Sequence, residues 1–227
     1  MLFKSQLVTE VSGSVGGLTG SHNLGGMYFR ARATPTNPNT PQQQVIRSAV
    51  GQLVALWTNT LTELQRALWR FYALNVPLLN PLGEPINVTG LNMYVRSNVS
   101  RLQAGEPRQD DGPSVFNLGD FTTPTITVDE APDTIDVTFD NTDDWANEDD
   151  AAMLVYASRP QNPSIVYFKG PYRLAGVVQG DATTAPTSPA TIALPFQIVA
   201  GQRIFARIAV SRADGRLSLS FRDFADA

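Results

Sequence analysis

The chain has 227 residues, enough for one large domain or two small ones. Hydrophobic residues make up 42% and charged residues 17%, a balance that supports a buried core and excludes both disorder and fibrous repeats. With no cysteine and one histidine, His22, the sequence excludes disulfides, thiolate chemistry and His-rich metal sites, and it leaves a nucleophile–base triad without support.

From Met1 to Ser12 there is one Lys and no apolar run of signal-peptide length, and no segment reaches the ~20 residues of a membrane span. The expectation is synthesis in the cytoplasm without a leader and with no membrane span. Asn87-Val88-Thr89 and Asn98-Val99-Ser100 match the glycosylation pattern, which goes unused without export.

Next comes a glycine-rich stretch, Ser12-Gly13-Ser14-Val15-Gly16-Gly17-Leu18-Thr19 and Asn23-Leu24-Gly25-Gly26. Its glycines read as turns or close backbone approaches within short strands. Tyr28-Phe29-Arg30-Ala31-Arg32 alternates as a strand with both arginines on one face, and the prolines of 33–39 favour an extended path. Residues 1–40 therefore read as an arm, of which 13–39 fully extended would span at most ~90 Å.

Helical signals fill 41–108. Thr40-Pro41-Gln42-Gln43 sets a hydroxyl at the N-cap, Pro at the first helical position and Gln two residues later; Val45, Ile46, Ala49, Val50, Leu53, Leu56 and Trp57 follow at helical spacing. Thr62-Glu63-Leu64-Gln65 repeats the start, with Leu61, Leu64, Leu68, Phe71 and Tyr72 as the expected apolar stripe and Pro77 as the stop. A third helix is expected from Leu91 to Gln103, ending at Gly105.

Charge reverses at about residue 109. Nine Lys and Arg stand against four acids before it, giving +5, and eight against seventeen after it, giving −9. The switch falls in the Gly/Pro-containing run 104–113, the expected boundary. Opposed signs favour head-to-tail contacts between copies.

Residues 109–227 are written in strands: Thr125–Val128, Thr134–Phe139, Ala152–Ala157, Ile165–Phe168, Tyr172–Val178, Thr191–Leu194 and Arg203–Val210, with Leu217–Phe221 as a further edge. The expected class is α+β: an extended arm and three helices, then an antiparallel β-sandwich of the fibronectin-III or immunoglobulin kind.

Chemistry is thinly signalled. Neither G-x-G-x-x-G nor G-x-x-x-x-G-K-[ST] is present, so nucleotide binding has no motif. The acidic run Asp140–Asp150 carries oxygens for a hard cation but lacks the glycine and terminal glutamate of an EF-hand, and reads as a solvated loop with Trp145 folded back into the core. Acids bunched in one loop do not flank a sugar bond from two sides. An acidic chain, pI about 5.0, gives no specific nucleic-acid recognition. No cofactor, no metal and no enzymatic activity are expected.

Taken together, the glycine-rich hairpin, the strand Met27–Arg32 and Pro35-Thr36-Asn37-Pro38-Asn39-Thr40-Pro41-Gln42-Gln43 resemble a family of phage- and prophage-encoded proteins. Coverage is best over 10–105. Ala157–Pro163 and Ala213–Ser218 are similar to a second domain found in some members. The resemblance implies a virion structural protein and supplies no catalytic residue. The subunit contacts are expected at Gly13, Gly16, Gly17, Gly25, Gly26, Tyr28, Arg30 and Arg32, the glycines for close backbone approach and the arginines for salt bridges, with copies of the same chain and other virion proteins as partners in a homo-oligomer. The alternative is a glycan- or surface-binding sandwich in which Trp145, Tyr167 or Tyr172 stacks on a sugar ring.

Overall fold

The computed structural model describes residues 12–227 apart from 25, 34–36, 38, 81 and 120. Gly25, the first eleven residues and part of the proline-rich stretch thus lie outside the described residues. The chain divides into two compact units between Val95 and Arg96.

In the first unit, β1 (Gly13–Val15), β2 (Leu18–Asn23) and β3 (Gly26–Ala31) form an antiparallel meander. Helices α1 (Pro41–Asn59), α2 (Glu63–Asn75) and the start of α3 (Gly90–Ala104) follow, with a short hairpin of β4 (Leu78–Leu79) and β5 (Pro85–Ile86) before α3. The helix starts are those the capping residues dictate. The Thr40 hydroxyl accepts from the Gln43 amide, and Thr62 and Gln65 exchange bonds in a full capping box.

Burial on α2 differs from the expected stripe. Leu61 and Tyr72 are buried, but Leu64 is 71% exposed and Phe71 55%, while Trp69 and Ala73 turn inward. The reason is an aromatic cluster: Trp69 meets Tyr94 of α3 at 5.5 Å and Tyr72 at 5.9 Å, and Trp57 of α1 meets Tyr94 at 5.6 Å. Edge-to-face packing around Trp69 fixes the rotation of α2, and the leucines on its far side go to water. At the crossing of α2 and α3, a Cβ on Gly90 would lie 2.8 Å from the Arg70 backbone nitrogen, so only glycine allows this approach.

The second unit is the sandwich. One sheet has the order β10-β7-β6 and the other β12-β11-β8-β9, all antiparallel, from β6 (Thr125–Asp129), β7 (Thr134–Thr138), β8 (Ala152–Ala157), β9 (Arg173–Gln179), β10 (Ala190–Ala193), β11 (Arg203–Ser211) and β12 (Phe221–Asp226). Their inner faces share one core that includes Ile135, Val137, Met153, Val155, Ile204, Ile208 and Val210. The fold is α+β with the expected fibronectin-III-like β-sandwich.

Two strands fall elsewhere than the sequence suggests. Ile165–Phe168 is not a strand: its groups bond locally and to side chains, the Ile165 amide to Asn162 and the Ile165 carbonyl to Arg203, while Phe168 stacks on Phe205. The closing edge strand begins at Phe221, where Leu217–Phe221 was the expected position; Leu217 makes only an isolated bridge to Ser211.

The unit begins inside α3, ahead of the composition switch at 109, because that helix's last turns bond within it. Arg96 donates to the carbonyls of Leu217 and Ser218, and Asn98 exchanges two bonds with Gln109. Arg101, 1% exposed, donates to the carbonyls of Pro107, Asp150 and Arg212. Burial lowers its pKa, opposed by Glu106, Asp150, Asp214 and Glu148.

Candidate functional site

Pairing in the N-terminal meander sorts its side chains onto two faces. Val15, Leu18 and Ala31 lie abreast, and two residues on, Gly20 is abreast of Phe29; His22 and Met27 continue this face. The other face carries Ser14, Thr19 and Arg30 abreast, then Ser21 and Tyr28. One side is thus mainly apolar and the other polar. On the apolar side Val15 is 85% and Leu18 54% exposed. Ser14 and Thr19 hydroxyls lie 2.8 Å apart on the polar side.

The glycines named from the sequence act through their backbone angles here. Gly13, Gly16 and Gly26 have φ of +106°, +56° and +109°, a region that side chains with a Cβ disfavour. Around a Cβ built on Gly13, Gly16 or Gly17 there is open space. Arg30 and Arg32 are exposed, Arg32 one residue beyond the strand, where its amide donates to the Gly17 carbonyl at 2.7 Å. Tyr28 is half-buried. Gly13, Gly16, Gly17, Gly26, Tyr28, Arg30 and Arg32 therefore lie in or next to one small three-stranded sheet.

The aromatic trio named in the sandwich does not come together. Trp145, 1% exposed, is locked in the core with its ring 5.1 Å from Phe139, so it has no face for a sugar. Its position follows from the acidic loop, whose polar groups are engaged around it. Asp143 accepts from the Thr122 amide and hydroxyl, Asp140 accepts from Thr142, Glu148 and Asp144 pair with Arg212, and Asp149 accepts from the Ala182 amide. The bonds from Thr142 hold the Asp140 carboxyl below its usual range. Among the described residues, no three His, Asp or Glu side chains converge as a metal site. Tyr167 is 68% exposed; Tyr172 is half-buried, donating its hydroxyl to the Phe168 carbonyl at 3.0 Å.

No family model matches the chain, and no curated protein matches it. Among solved structures it is similar to a family 76 glycoside hydrolase from a bovine Bacteroides thetaiotaomicron strain, at TM-score 0.34 and 15% identity over 48% of this chain and 20% of that one. It is also similar to an Fn3-like protein from Clostridium thermocellum, at TM-score 0.30 and 14% identity over 48% of this chain and 94% of that one. Likenesses this distant say nothing about activity, and the sandwich rests on its own strand order.

Sequence reasoning missed the outer face of the four-stranded sheet. There Phe205 stacks on Phe168 at 5.5 Å and meets Phe224 at a tilt at 5.6 Å, Arg203 lies 4.0 Å over Phe224, and Arg207 lies 4.3 Å over Tyr156. The signal was present in the alternation of Arg203, Phe205 and Arg207 along one strand. Only the pairing with β12 adds Arg222 and Phe224 beside them.

Proposed function

We propose that this chain is a structural subunit of a bacteriophage particle, a capsid, decoration or tail component, joined to neighbouring copies through its N-terminal arm. The observation that carries this is the apolar face of the meander, with Val15 and Leu18 both open to solvent. A three-stranded sheet needs a covered hydrophobic face to be stable, and a neighbouring subunit supplies one. Supporting the same reading, Arg30 and Arg32 stand exposed beside this sheet on a unit with six Lys and Arg against three acids. The sandwich unit has eleven against eighteen, so a neighbour's sandwich offers the arginines opposite charge. The hairpin's family resemblance gives the particle its phage identity, and no catalytic group is required.

Light scattering on the full chain during size-exclusion chromatography tests the assembly. A mass above the 24.6 kDa protomer is expected, falling toward the protomer when Val15 and Leu18 are both changed to Lys. A monomer at every concentration overturns it. Mass spectrometry of purified phage particles from a host carrying the sequence tests the virion role, and absence from the particles overturns that role.

A further inference from the structure

On the outer face of the four-stranded sheet, β11 and β12 set three pairs of residues directly opposite each other: Arg203 and Asp226, Phe205 and Phe224, Arg207 and Arg222. Opposed residues of an antiparallel pair project to the same face. The first two rows are complementary. Arg203 holds Asp226 in a two-pronged pair at 2.6 and 2.8 Å, and the phenylalanine rings are in contact. The third row places two cations opposite each other, an arrangement that costs stability unless an anion sits between them.

Neither Arg207 nor Arg222 has a carboxylate within 4.0 Å among the described residues. This sets half-buried Arg207 and exposed Arg222 apart from the buried or half-buried arginines whose partners are in place. Arg101 is satisfied by three carbonyls, Arg203 by Asp226, Arg212 by Glu148, and Arg216 by Asp214. Arg207 Nε is buried and donates to nothing. A half-buried guanidinium with an idle N–H and a second cation opposite is costly to keep, and an oxyanion at its exposed part would offset that cost.

Aromatic side chains surround the pair. Arg207 lies 4.3 Å from the Tyr156 ring centre and 5.7 Å from that of Tyr172, which packs edge-on against Phe168 at 5.3 Å. Burial raises the Tyr172 pKa, and the nearby Arg222 and Arg207 oppose the rise. Tyr167, next in the chain to the Phe168 that packs on Tyr172, presents an open ring.

We propose that Arg207 and Arg222 bind the carboxylate of a uronic-acid sugar, with Tyr167 as the platform for the sugar ring. A carboxylate matches the fork of a guanidinium, and the flat C–H face of a pyranose packs on an open tyrosine. Charge selects the acidic sugar and the platform selects a ring over an acidic peptide. The site lies wholly within the second unit and does not depend on the assembly reading.

Calorimetric titration of the full chain tests it with trigalacturonate, triglucuronate, the methyl ester of trigalacturonate and triglutamate. Binding is expected for at least one of the two uronates, at least about tenfold weaker for the ester, which lacks the charge, and for the peptide, which lacks the ring. Arg222→Met, at an exposed position, should weaken uronate binding about tenfold or more, and Tyr167→Ala severalfold. The proposal is overturned if neither uronate binds at millimolar concentration, if the ester or peptide binds equally well, or if Arg222→Met leaves the affinity unchanged.

Discussion

The two units dispose of their apolar residues in opposite ways. In the sandwich, β8 is buried along its whole length and shares a core with the facing sheet. In the first unit, Leu53 is the one buried residue of α1, and Val15, Leu18, Leu64 and Leu74 are all exposed. A sheet folded over another sheet satisfies itself, whereas the helical hairpin and the three-stranded meander leave apolar side chains to solvent. The sandwich thus closes its own core, and the first unit leaves apolar side chains open to solvent.

This contrast breaks if core and surface substitutions have similar effects. The largest loss is expected in the sandwich unit, where Arg101→Met strands three carbonyls and Trp145→Ala opens a cavity beside Phe139. Each should cost about 3–5 kcal/mol in urea unfolding. A loss below about 1 kcal/mol for both would show that this core is not self-sufficient. Next, Gly90→Ala should cost about 1–3 kcal/mol, because the added methyl meets the Arg70 backbone; a neutral result would mean that α2 and α3 separate at little cost.

Glu106 gives a smaller effect with a definite sign. Burial and the neighbouring Asp150 raise its pKa above the ordinary glutamate value. The folded state therefore holds the proton more tightly than the unfolded one, and stability falls as pH rises from the ordinary value through the folded one. Glu106→Gln should raise the melting temperature at neutral pH, with the gain vanishing as pH drops below the ordinary glutamate range. A gain that persists unchanged at low pH would rule out ionisation as the cause.

The smallest change in stability, within about 0.5 kcal/mol, is expected from Leu64→Gln on the exposed side of α2. A loss above 1 kcal/mol, which would require burial of Leu64, would break the contrast between the units.

Much of the local structure was legible in the residues themselves. Thr40-Pro41 and the Thr62–Gln65 box fix two helix starts through bonds that span three residues, and β8 runs over the same residues that its apolar string marks. The strand over Tyr28–Ala31 was legible from its alternation, but the register that sets Arg30 beside Thr19 was not. Trp145 was legible as a core plug from its loop, but not as a sugar platform. Hidden from the sequence were the rotation of α2 and the buried polar side of α3, where Ser97, Asn98 and Arg101 turn inward. Apolar periodicity cannot announce a polar residue whose acceptors lie in other parts of the chain.

By itself the sequence determined where α1 and α2 begin and where β8 runs, because caps, turns and alternation act between residues a few positions apart. Tertiary structure alone decided which arginines found acceptors and which did not. Arg101 and Arg212 meet their partners only after loops from distant segments close around them, and Arg207 meets Arg222 only because β12 pairs along β11 in one register. Such pairings depend on distances that no local run of residues specifies.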